Sequence, residues 1–89
     1  MSVLLISYDS WTAGNPDPVQ RAIQEYNHIQ LAKSTYAIET DEKTRTVFNK
    51  FLSLFDLDVH LLVVTLIKPF ASPPKGQVSK WLTKRLPED

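Results

Sequence analysis

Asp9 closes an apolar run, Val3-Leu4-Leu5-Ile6, that continues through Ser7 and Tyr8. A carboxylate there should emerge at the rim of a sheet. It must be solvated, hydrogen-bonded or metal-bound, because an unpaired buried carboxylate is costly. Backbone N–H groups of the Ser10–Gly14 loop are its nearest hydrogen-bond donors. In the same loop Trp11 offers a ring that can stack on a nucleic-acid base or pack against its own loop. His28 and His60 lie far apart in sequence, and His60 sits inside an apolar run, so each reads as a packed or interface histidine before a ligand. Asp56 and Asp58 read as turn residues. There is no cysteine, which excludes disulfides and thiolate metal sites. No phosphate-binding glycine loop and no Ser-His-Asp arrangement is present.

These residues must be positioned by a small scaffold. Eighty-nine residues suffice for one domain, residues 1–89. A chain of this size buries only roughly 60–65% of its unfolded surface, so tight packing or self-association must supply stability. Ten basic and ten acidic side chains give zero net charge, which argues against an obvious nucleic-acid binder. The charge is uneven, however. Residues 68–89 hold Lys68, Lys75, Lys80, Lys84 and Arg85 against Glu88 and Asp89, whereas residues 1–67 are net acidic. This tail is either a solvated surface or an anion-binding flank. No apolar run approaches the ~20 residues of a membrane span. The start of the chain is strand-like and has no basic leader region, so a cytoplasmic location is expected.

Ser2–Tyr8 is short, apolar and β-branched, hence a buried strand. Residues 10–17 form a loop around Gly14, Asn15 and Pro16. Asp17-Pro18 starts a helix whose Val19, Ala22, Ile23 and Tyr26 fall on one face. His28–Leu31 and Ser34–Thr40 are strand-like, either as a hairpin or as one strand bulged near Ala32 and Lys33. Thr40 or Asp41 is expected to cap a second helix, with Thr44, Val47, Phe48, Phe51, Leu52 and Phe55 as its core face. Val59–Ile67 reads as the strongest strand. A Pro- and Gly-containing loop (Pro69, Pro73, Pro74, Gly76) follows it. Ser79 would cap a last helix carrying Trp81, Leu82 and Leu86, stopped by Pro87.

The order βαββαβ with a C-terminal extension, 68–89, predicts an α+β, ferredoxin-like domain: an antiparallel sheet with two helices on one face. Such a sheet normally alternates apolar and polar residues. Here Val3 and Leu5 oppose Leu4 and Ile6, and Leu61 and Val63 oppose Leu62 and Val64. Both faces should therefore be covered, one by the helices and the other by the tail, by a second copy of the chain, or by both. A homodimer is expected.

Leu5-Ile6-Ser7-Tyr8-Asp9, the segment Lys33–Thr40, and Leu61–Leu66 followed by Gly76 and Trp81-Leu82 appear in order across most of the chain. Together they resemble the CRISPR-associated Cas-two-like superfamily, and most closely its SinR-like branch. The resemblance implies a ferredoxin-like dimer. It further implies a divalent-metal-dependent nuclease or nucleic-acid-binding role, in which Asp9 from each of two copies holds Mg²⁺ or Mn²⁺ with Ser10 as an accessory. The metal would polarise a phosphate and activate water. Residues meeting RNA or DNA would be Ser10, Trp11, Arg21 and Lys33. One departure stands out: residues 10–20 contain no Lys or Arg, so the basic cluster usual at the start of the family's first helix is missing. The alternative is a non-catalytic dimeric scaffold or toxin–antitoxin-like accessory protein.

Overall fold

The apolar run at the start of the chain forms strand β1, Ser2–Tyr8, and the rest of the fold is arranged around it. The computed structural model describes residues 1–8, 17–55, 60–68, 70–71 and 76–86. The remaining elements are α1 (Asp17–Gln24), β2 (Asn27–Ala32), β3 (Thr35–Thr40), α2 (Thr44–Leu52), β4 (Leu61–Leu66) and α3 (Gln77–Arg85). The result is a small α+β fold with one four-stranded sheet, order β2-β3-β1-β4, every neighbouring pair antiparallel. Among the described residues, no helix is long and apolar enough to cross a membrane.

Strand alternation divides β1 between two cores. Leu4, Ile6 and Tyr8 join Tyr36 and Ile38 of β3, and all are covered by Val19 and Ile23 of α1 and Val47 and Phe51 of α2. On this face α1 lies over β2 and α2 over β4. Val3 and Ala37 point the other way, onto Leu82 and Leu86 of α3 and the end of its last turn. Ile29, Leu31, Phe70 and Trp81 border this second core.

The expected face of α1 is borne out: Val19 and Ile23 are buried, with Ala22 and Tyr26 packed beside them. Pro18 lies in the first turn, where its missing N–H leaves no helical hydrogen bond unmade. His28 falls in β2, and β2 with β3 is a hairpin whose register shifts between Gln30 and Ala32.

Several boundaries differ from expectation. Neither Thr40 nor Asp41 caps α2; Lys43 holds that place without a side-chain bond. Thr40 Oγ1 instead accepts the Glu42 N–H at 3.0 Å, a local turn that competes with capping. On α2 only Val47 and Phe51 are buried. Phe48 is half-buried with the Arg45 guanidinium 5.3 Å from its ring centroid, and Leu52 is exposed. Gly76, not Ser79, precedes α3. His60 lies just before β4 and is exposed, so it is not a packed strand residue.

Within one chain the second face is covered at β1 and left open at β4. Leu62 is 57% exposed and Val64 39%, and Ile67 beyond them is 66% exposed. The edge strand β4 has only β1 beside it, while α3 sits across the sheet over β2. The expected turn at Asp56 and Asp58, the loop prolines 69, 73 and 74, and the stop at Pro87 lie outside the described residues.

Candidate functional site

The end of β1 is where the chemistry was expected. Asp9, Ser10 and Trp11 themselves lie outside the described residues. Antiparallel register sets Tyr8 beside Leu61 and Ser7 beside Leu62 and Thr35. Ser7 and Thr35 share a hydroxyl–hydroxyl hydrogen bond of 3.0 Å, and the Tyr8 N–H donates to the Ser34 carbonyl. A shallow pocket of about 480 Å³ opens there, lined by Ser7, Tyr8, His60, Leu61 and Leu62. Burial, and secondarily Tyr36, pushes the Tyr8 phenol above its ordinary 10.0, so it stays protonated at neutral pH. Its ring packs against Phe55, with centroids 5.8 Å apart.

The cations and histidines of the expected site do not converge. Arg21 is exposed on α1, on the first face, and Lys33 is exposed in the β2–β3 turn. They share no described pocket. His28 is on β2 and His60 precedes β4, at opposite edges of the sheet. His28 Nδ1 is 3.0 Å from the Tyr26 carbonyl, a local contact. Among the described residues, no three His, Asp or Glu side chains come together as a metal cage. The Mg²⁺ or Mn²⁺ expectation therefore rests on Asp9.

Two arrangements were missed in the sequence. In the first, Tyr26 Oη donates to Glu42 at 2.5 Å and accepts from Lys50 Nζ at 2.8 Å, with Lys50 3.8 Å from Glu42. Burial and the Glu42 hydrogen bond together raise Tyr26, and the bond to Tyr26 raises Lys50. A phenol held protonated is a hydrogen-bond donor, and the trio ties the segment after α1 to α2 and the turn before it. The pattern is legible only once α1 and α2 are known to be neighbours.

The second arrangement lies on the other face. A groove of about 400 Å³ between α3 and β2 is lined by His28, Ile29, Gln77, Lys80, Trp81, Lys84 and Arg85. The Arg85 guanidinium lies 4.3 Å from the Trp81 ring centroid, and its NH1 donates to the Trp81 carbonyl at 3.3 Å. Arg85 Nε is 3.4 Å from Glu39 Oε1. That contact is an ion pair without a directed hydrogen bond, since Nε is buried and has no partner of good geometry. Basic composition in the tail was the sequence signal. Its juxtaposition with β2 was not readable, because nearly fifty residues separate Ile29 from Gln77.

Fold and sites together define a small α+β protein whose edge strand β4 exposes apolar side chains and whose α3–β2 groove is lined by lysines. No family model, curated protein or solved structure matches the chain.

Proposed function

We propose that this chain is a self-pairing, ferredoxin-like binding protein of the Cas-two and SinR-like kind, working with nucleic acid as a scaffold. Element order βαββαβ, with β1 and β3 central and β2 and β4 at the edges, supports the ferredoxin-like reading; α3 is an addition to it. The observation that carries self-pairing is the bare apolar ridge of β4. Leu62 and Val64 share the sheet's second face with half-buried Leu5, and α3 does not reach them. A long apolar edge strand invites a second strand, and a two-fold axis lets the same ridge serve both copies. Light scattering at micromolar concentration should give twice the 10.2 kDa chain mass. Leu62→Lys with Val64→Lys should give the single mass with an unchanged circular dichroism spectrum. A wild-type monomer would remove the dimer from the proposal.

A second reading is a metal-dependent nuclease. It is favoured by one placement: the hydroxyl- and imidazole-lined pocket sits at the end of β1, and Asp9 is the next residue after it. No described group there supplies a carboxylate, so the metal would depend on Asp9 from each copy. A divalent ion so held would supply Lewis acidity at a phosphate. Cleavage of RNA or DNA with Mg²⁺ or Mn²⁺ should then be abolished by Asp9→Asn. Equal cleavage by the mutant, or none by the wild type, leaves the scaffold.

A further inference from the structure

We infer that the groove between α3 and β2 binds the phosphate backbone of a single-stranded nucleic acid. The inference deepens the proposed function and rests on its nucleic-acid part. Lys80 and Lys84 form the rim. They are exposed, one helical turn apart, and neither has an ion-pair partner among the described residues. Four residues of helix rise about 6 Å, so the two ammonium groups are spaced to meet successive phosphates of an extended strand. Phosphate neutralisation by lysines drives binding of this kind whatever the base sequence.

The floor of the groove argues for a single strand. Ile29 and Trp81 give it an apolar base, and Arg85 stacked on Trp81 makes a flat cationic plate. Unstacked bases lie well on guanidinium planes and aromatic rings, whereas a duplex keeps its bases stacked inside. Arg85 is held in place by the Trp81 carbonyl and by Glu39. Glu39 offsets part of the Arg85 charge and also accepts a hydrogen bond from Asn27 Nδ2 at 3.2 Å. Phosphates therefore belong on the lysine rim, away from Glu39, and the Arg85 plate serves for stacking. An acidic peptide could use the lysines but would leave the plate idle.

The test is fluorescence anisotropy with short labelled oligouridylate and oligothymidylate, read over a salt series, with circular dichroism to check folding. Wild type should bind at low salt. Lys80→Ala with Lys84→Ala should weaken binding about ten-fold and reduce the slope of log K against log salt by about 1.4, about 0.7 for each phosphate that is no longer neutralised. Both lysines are exposed, so the fold should persist. If the double variant binds like wild type, while Arg21→Glu with Lys33→Glu abolishes binding, the groove is overturned and the nucleic-acid reading stands. If wild type binds neither oligonucleotide, the nucleic-acid reading itself falls, and the groove assignment with it. Binding of poly-glutamate alone would overturn the assignment in favour of an acidic protein partner.

Discussion

One face of the sheet carries two helices and the other carries one. Under α1 and α2 the side chains of Leu4, Ile6, Ile38, Val47 and Phe51 are sealed from water. On the second face the seal is complete only where α3 lies, at Val3 and Ala37. It ends at β4, where Leu62 and Val64 face solvent. Strand sequences of similar hydrophobicity thus serve different ends. Apolar side chains beneath a helix contribute to folding, and the same side chains at an uncovered edge are available to a partner. Stability is concentrated on the first face, while the surfaces suited to binding are on the second.

The strongest way to break this contrast is Phe51→Ala. A fully buried aromatic in the first core should lose about 3–5 kcal/mol in urea melts. Leu82→Ala, beneath a single helix, should lose about 2–3 kcal/mol, the lower part of the usual range for leucine. Equal losses at the two sites would show that the faces are equivalent. Phe48→Ala should fall below about 2 kcal/mol, since the ring is half in water already. Sequence alone ranks Phe48 with Phe51, so a large loss at Phe48 would mean that the observed α2 face is wrong.

Alkaline pH sharpens the contrast more gently. Tyr8 and Tyr26 are raised from 10.0 and Lys50 from 10.5, so the folded state holds these protons more tightly than the unfolded chain. The linked stability is fully present below about pH 10 and is lost as pH rises through the raised values. Thermal melts should be level up to about pH 10 and fall above it. Tyr26→Phe should flatten part of that fall. Lys50 is largely solvated, and its share is small. The smallest effect is expected at Leu62→Ser, where monomer stability should change by no more than about 0.5 kcal/mol. A larger change that depends on protein concentration would report the dimer.

The face of α1, the helix–strand order and the double-sided burial of β1 were legible because short-range periodicity specifies them. Val19 with Ile23, and Val3 with Leu4, carry that signal unaided. What periodicity could not supply was which strand lies at an edge. Leu61-Leu62-Val63-Val64 reads as a buried strand, yet the topology leaves it with one neighbour, and on its second face Leu62 and Val64 are exposed while only Leu66, at the strand's end, packs on the α3 core. Similarly, Phe48 and Leu52 fit the helical face of α2 by spacing, but only Val47 and Phe51 are buried in the core with β1, β3 and α1, while Phe48 stays half-buried beside Leu61 and Val63 at the sheet's edge. The start of α3 was missed because Ser79 reads as the stronger cap, whereas Gly76 has no side chain to bond the first N–H groups of the helix. The Lys80–Lys84 groove was not legible, because part of its lining comes from β2.

The pairing of β1 with β4 also constrains how the chain can be made. Tyr8 finds Leu61, and Val3 finds Leu66, only after more than fifty intervening residues have been synthesised. Pairings of such sequence separation slow folding, so this small α+β domain should refold more slowly than helical bundles of its size and faster than all-β domains. During synthesis the Val3–Ile6 segment leaves the ribosome before β4 and waits, with one side of its backbone ladder unfilled, until β4 follows. A short, uncharged, β-branched stretch in that condition is prone to aggregate. The chain is therefore most vulnerable while it is nascent, and truncation before β4 should trade a folded product for an insoluble one.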